Sequence, residues 1–264
     1  MGILYFFIAI FATSIGAATG MGGGVIIKPV LDALGHFPVE DINILSSLSV
    51  FTMSIVSILR GAKNMAALPE FNLKTIVPLA LGSVLGGLIG GGLFSLIAGN
   101  ADDYLVTVVQ NVILLIIIAV IFVYMLNKDK VKPLNLQGIA PSVLTGLGLG
   151  IISTFLGIGG GPINVVAIIL VFGYSTKLAG FSSIITIFFA QISKTASIMF
   201  GSGFGAYDLS VLPFMLVGAV SGSLIGSQIV RIFSDKQIDR FFNVAQVIIM
   251  VLCLSNILRA LQII

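Results

Sequence analysis

The sequence predicts an all-α, polytopic membrane protein with two inverted-topology repeats, each a glycine-broken helical hairpin plus three transmembrane helices. Three observations carry this reading. The chain is 58% hydrophobic and only 9% charged over 264 residues; its apolar runs match the thickness of a bilayer; and its motifs recur in the same order in both halves. A soluble domain of this size could not cover its exterior with so few polar side chains.

The elements follow in chain order. Residues 3–34 are one apolar stretch, and about 32 residues of unbroken helix would reach nearly 50 Å, too long for one crossing of a ~30 Å hydrocarbon core. A hairpin is therefore expected, with Gly20-Met21-Gly22-Gly23-Gly24 at its tip. The opening MGILYFFIAIF lacks the positive region and cleavage site of a signal peptide and reads as the first helix. Runs at 42–59, 75–98 and 104–126 supply three crossings. The polar segment NKDKVKPLNLQG, residues 127–138, is the linker between a first repeat, 1–126, and a second, 139–264. Residues 139–173 then form the second hairpin, around Gly157-Ile158-Gly159-Gly160-Gly161, and runs at 179–200, 209–230 and 241–262 complete the plan. Continuous runs of this kind, without alternating ten-residue segments, exclude a β-barrel.

The halves correspond at an interval of roughly 136 residues. Besides the two glycine tips, Ser46-Ser47 answers Ser182-Ser183, and Pro78 with Gly82, Gly86 and Gly90 answers Pro213 with Gly218, Gly222 and Gly226. A glycine every fourth residue makes a smooth strip on one helix face, on which a neighbouring backbone can lie closely.

Charge sets the orientation. Arg60, Lys63 and Lys74, the linker lysines 128, 130 and 132, Lys177, and Arg231, Lys236 and Arg240 fall in one set of loops. Loops 35–43, 99–103 and 201–208 carry Glu40, Asp41, Asp102, Asp103 and Asp208 but no Lys or Arg. Basic loops stay cytoplasmic, which places the linker inside and both termini outside. Each hairpin then returns to the side it left, and the three crossings that follow make the two halves inverted relative to each other. Inverted repeats with broken helices mark secondary transporters.

The glycine tips suggest what is carried. Three consecutive glycines break the helical ladder and bare backbone N–H groups, tolerable in a membrane only inside protein or along a wet cavity. Pro162 suits the first turn of a new helix, whose positive dipole end would face an anion. The candidate binding residues are accordingly Gly22, Gly23, Gly24, Gly159, Gly160 and Gly161, with Asn164 and Lys28 within a turn of a tip. Lys194, deep in FFAQISKTASIMF, is a costly cation that should face a cavity or partner. Gln191, Thr186, Ser182 and Ser183 lie near it at helical spacings, with Ser46, Ser47 and Thr52 as counterparts in the first half. No Asp or Glu stands obviously within the membrane. His36 lacks a partner set for metal binding, and the lone Cys253 reads as a packed hydrophobe. No catalytic triad, acid pair or phosphate loop is visible, so neither an enzyme nor a cofactor is expected. A net charge of +3, scattered between helices, argues against nucleic acid as a partner. The expected partners are the lipid bilayer and a small anion, with a homo-oligomer left open.

At the paired Gly-x-Gly-Gly-Gly motifs and the paired serines, the sequence resembles the TauE/SafE family of membrane permeases, also called sulfite exporter-like proteins. The resemblance covers nearly the whole chain. It implies a prokaryotic plasma-membrane transporter for sulfur-containing anions such as sulfite, sulfoacetate and related organosulfonates.

Overall fold

A computed structural model describes residues 2–68, 70–98, 103–156 and 160–260. Ten α-helices occupy these residues: α1 (Gly2–Thr19), α2 (Gly24–Leu34), α3 (Val39–Met65), α4 (Leu73–Ala98), α5 (Asp103–Leu126), α6 (Ile139–Phe155), α7 (Pro162–Phe172), α8 (Thr176–Phe200), α9 (Leu212–Ile232) and α10 (Asp235–Ala260). Seven are long and apolar enough to cross a membrane. Both expected hairpins are present, and their arms are unequal. At 1.5 Å per residue α1 and α6 reach about 27 and 25 Å, whereas the eleven-residue α2 and α7 reach about 17 Å, too short to cross alone.

Local chemistry explains the boundaries. Gly35 and Gly173 close α2 and α7 in the left-handed conformation, at φ +65° and +73°, which a glycine adopts without strain. Glu40 and Asp41 stand in the first turn of α3, where the helix dipole favours negative charge. Pro162 begins α7 as expected. The linker satisfies the far end of α7: the amides of Leu134 and Leu136 donate to the carbonyls of Leu170 and Val171. Lys128 pairs with Asp239, and Thr176 donates to the same carboxylate, tying the linker to α8 and α10.

The helices pack in a pattern that maps onto itself. Helix α4 lies along α6 and α8, while α9 lies along α1 and α3; α2 packs on α3 and α7 on α8; and α3 meets α8 as α5 meets α10. Advancing every label by five reproduces the same set of pairs.

The glycine strips make the closest of these contacts. A Cβ on Gly82, Gly86 or Gly90 would run into the carbonyls of Val143, Leu147 and Ile151 on α6, and one on Gly146 or Gly150 would strike α4 in return. On α9, Gly218 leaves room for the Phe6 carbonyl, 2.6 Å from where its Cβ would stand, and Gly222 and Gly226 do so for Ile10 and Ser14 on α1. In a membrane, where lipid competes for apolar surface, such backbone approach is a main source of helix association.

A bulky residue on the strip must separate two backbones. Gly86→Leu is expected to cost at least the ~1–3 kcal/mol of ordinary overpacking, read as a lower melting temperature and loss of the monodisperse peak in detergent. Gly92→Leu, on the same helix with nothing within 4 Å of its Cβ position, is expected to keep the parent melting temperature and monodisperse peak.

Candidate functional site

Two helix breaks and two clefts make up the candidate site. In the first break Gly20 and Gly22 hold φ near +76° and +75°, values that other residues adopt only with strain. A Cβ on Gly20 would overlap the Gly180 backbone of α8, and the Ser183 hydroxyl donates to the Gly20 carbonyl at 2.7 Å. Gly23 caps α2 and brings no side chain to its first-turn amides. In the second break Gly160 has φ +113° and its Cβ position is filled by Ile187 of α8. Gly161 caps α7, again without a side-chain partner. Both breaks thus lean on α8, at residues 180–183 and at 187, about one to two turns apart along its axis. Gly159 lies outside the described residues.

One cleft, of about 480 Å³, opens beside the start of α3 and the end of α8. Its walls are Glu40, Asn43 and Ile44 of α3, Gly87, Gly91 and Phe94 of α4, Thr154 of α6, and Lys194, Ser197 and Ile198 of α8. The other lies at the opposite ends of the same helices. It is lined by Lys177, Gly180 and Phe181 of α8, Ser227, Val230 and Arg231 of α9, Ala17 and Ala18 of α1, and Ser57, Arg60 and Gly61 of α3. At an interval of roughly 136 residues, Glu40, Asn43, Ile44, Gly91, Phe94, Lys194, Ser197 and Ile198 of the first cleft answer Lys177, Gly180, Phe181, Ser227, Val230, Ser57, Arg60 and Gly61 of the second. Their sizes differ sharply: the second holds about 40 Å³, room for about one water. It is closed by the contact of Gly20 with Gly180 and by a 2.7 Å hydrogen bond between Ser57 and Ser223, which ties α3 to α9.

The floor of the wide cleft is polar. The Lys194 ammonium donates to the Asn43 carbonyl at 3.3 Å and has no carboxylate partner among the described residues. The Asn43 side chain is buried with neither its oxygen nor its nitrogen hydrogen-bonded, and the buried Gln191, one turn before Lys194, has an unpartnered Oε1. Thr154 stands in the last turn of α6, at the edge of the second break. A cation and the unpaired Asn43 N–H beside a cavity are suited to a small oxyanion, since a buried donor left unpaired costs about 1–3 kcal/mol; the unpaired Gln191 atom is an acceptor oxygen and lies outside the cleft lining.

The structure places the remaining sequence candidates differently. Gly22, Gly23 and Gly24 are buried and line neither cleft. Ser47, Thr52 and Thr186 donate to carbonyls four residues back in their own helices. Ser46 and Ser182 are fully buried, and their hydroxyls have no partner. Asn164 is buried and accepts from Ser153 at 3.3 Å. Asn43 and Thr154 were missed because each stands near a helix end that reads as loop or packing; a lone Asn leading into an apolar run was the available signal.

Lys28 does not line the wide cleft. It pairs with Asp32 at 3.1 Å, and both side chains are 2% exposed. Asp32 was not among the sequence candidates. Its carboxylate also accepts from Asn111 of α5 at 3.5 Å, and Asn256 of α10 donates to Asn111 and to the Pro29 carbonyl.

The unequal clefts predict unequal reactivity. With Cys253 replaced by alanine, Ser197→Cys should react with a membrane-impermeant maleimide at least roughly tenfold faster than Ser57→Cys, because thiol reactivity follows access. Labelling rates in intact cells or vesicles measure this.

A family model described as "Sulfite exporter TauE/SafE" matches residues 5–253. Two proteins of Bacillus subtilis (strain 168) are similar over nearly their whole length. The probable membrane transporter protein YjnA is 24% identical over 262 residues, covering 94% of this chain and 97% of the relative. The probable membrane transporter protein YunE is 24% identical over 266 residues, covering 92% and 93%. These relatives are named as transporters, not enzymes. No solved structure matches. With apolar helices long enough to cross a bilayer and a family match over nearly its full length, the chain is a multi-pass membrane transporter and belongs to the TauE/SafE sulfite exporter family.

Proposed function

We propose that the chain moves small sulfur-containing oxyanions, sulfite or an organosulfonate such as sulfoacetate, across a prokaryotic plasma membrane by alternating access. The observation that carries this reading is the pair of clefts: equivalent positions of two halves line both, yet one holds about 480 Å³ and the other about 40 Å³. If the halves are inverted repeats, exchanging their conformations would shut the wide cleft and open the narrow one, and a substrate between them would change sides. Arg60, Lys177 and Arg231 gather at the narrow end, which supports a cytoplasmic position for that end and for the linker, and an outward-open state here.

In this reading Lys194 supplies the charge, and Asn43 and Thr154 supply donors for individual oxygens. The second break, beside Thr154, adds the uncapped amides of α7. The unpartnered Ser46 and Ser182 hydroxyls are buried on α3 and α8, the helices that line both clefts. Family membership and the names of the two relatives support transport; the chemistry of the cleft supports an anion.

Proteoliposome counterflow tests the reading. Radiolabelled sulfite or sulfoacetate should enter faster when the same unlabelled anion is trapped inside, a stimulation that a channel does not show. Lys194→Ala should lower apparent affinity by roughly ten- to a hundredfold, the loss of one hydrogen bond to a charged group, about 1.5–3 kcal/mol. Absence of counterflow with sulfite, sulfate, thiosulfate, taurine and sulfoacetate alike would overturn it.

A further inference from the structure

We propose that Thr176, Lys128 and Asp239 form a clamp that holds the narrow cleft shut, and that Asp239 is the positioning residue whose release lets this cleft open during transport. The inference rests on the alternating-access reading above and names the contact that sets the resting state.

The clamp is a closed set of three bonds. The Lys128 ammonium donates to the Thr176 hydroxyl at 3.0 Å and pairs with one Asp239 oxygen at 2.5 Å, while Thr176 donates to the other oxygen at 2.7 Å. One residue on, the Lys177 amide donates to Asp235 at 3.1 Å. Thr176 and Lys177 open α8, where backbone amides have no partner within the helix, and Ser175 before them brings no side chain to these amides. The first turn of α8 is thus held from outside by two carboxylates of α10.

That turn is part of the wall of the narrow cleft. Thr176 and Lys177 both line it, with Gly180 and Phe181 one turn further along. Widening the cleft shifts this turn relative to α10 and the linker, and the clamp opposes that shift.

The start of α3 lacks the clamp. It begins as α8 does: Pro38 and Ser175, the residues just before the two helices, have the same backbone angles, φ −59° and ψ 155°. In the place of Thr176 stands Val39, a hydrocarbon side chain that makes no hydrogen bond, and in the place of Lys177 stands Glu40, which lines the wide cleft. The same helix start therefore borders about 480 Å³ where it is unclamped and about 40 Å³ where it is clamped.

The linker connects the clamp to the first half. Lys128 follows the end of α5 by two residues, and further on the amides of Leu134 and Leu136 bond to the end of α7. A shift of α5 therefore acts on Lys128 directly. The pair also suits a contact that breaks in every cycle: Lys128 and Asp239 keep 21% and 15% of their side-chain surface exposed, so water takes over as they part, whereas a fully buried pair would leave an uncompensated charge.

The test uses the full chain in lipid nanodiscs, where both ends meet solvent, with Cys253 replaced by alanine and a maleimide as the probe. Ser227→Cys reports on the narrow cleft and Ser197→Cys on the wide one. Thr176→Val, which gives α8 the start that α3 has, and Asp239→Asn should each speed labelling of Ser227→Cys by roughly two- to tenfold, the worth of one hydrogen bond, and leave Ser197→Cys no faster. Thr176→Ser should keep both parental rates. A substitution that merely loosens the fold speeds both sites together; that result, or an unchanged rate at Ser227→Cys, would overturn the clamp. Should Asp239→Asn fail to fold, Thr176→Val, which exchanges only a hydroxyl for a methyl group, decides between the same outcomes. Labelling needs no substrate, so wild-type sulfite counterflow tests the transport reading separately.

Discussion

Inside a bilayer a backbone amide or carbonyl that leaves its helix must find a partner in the protein, because hydrocarbon supplies none. Much of this structure follows from that constraint. The chain interrupts a helix in both hairpins, and at both it surrounds the interruption with other helices. Gly20 is pressed against Gly180 and accepts from Ser183, while Gly160 is covered by Ile187. Side chains with a Cβ could not approach so closely, so the glycines that break the helices also allow the breaks to be buried.

The same demand for close approach organises the frame. Gly82, Gly86 and Gly90 of α4 lie against the carbonyls of Val143, Leu147 and Ile151, Gly146 and Gly150 of α6 against those of Leu79 and Ser83, and Gly218, Gly222 and Gly226 fit over α1. These contacts join one half to the other and leave α3 and α8 at the centre, where each contributes to both clefts. In the transport cycle proposed above, α3 and α8, which line both ends, would be the helices whose repacking closes one cleft and opens the other. The hydrogen bond from Ser57 to Ser223 is a fastening of the shut end; at the open end the equivalent places hold Lys194 and the bare backbone of Gly87. The asymmetry in size is matched by an asymmetry in chemistry.

Charge is the scarce quantity in this molecule, and its placement separates scaffold from function. Glycines, prolines and serines recur in both halves, whereas Lys194 and the Lys28–Asp32 pair each occur in one. On the reading of two repeats, a frame used twice needs its packing residues twice and its chemistry once, and the buried charges are where the halves differ.

The sequence by itself determined the membrane setting, the helix segments, the two glycine breaks and the linker, because these depend on local quantities: run length, hydropathy, glycine spacing and the fit of Pro162 to a first turn. It also singled out Lys194, since a cation is conspicuous in an apolar run. Only the tertiary structure decided which polar groups share a cavity. Ser47, Thr52 and Thr186 sit on plausible faces but spend their hydroxyls on their own helices, and Lys28 turns to Asp32, which reads from sequence as part of a helix end. Asn43 and Thr154, 111 residues apart in the chain, become neighbours of Lys194 because α3, α6 and α8 converge there. Side-chain partners depend on distances across helices, which no periodicity along one helix encodes.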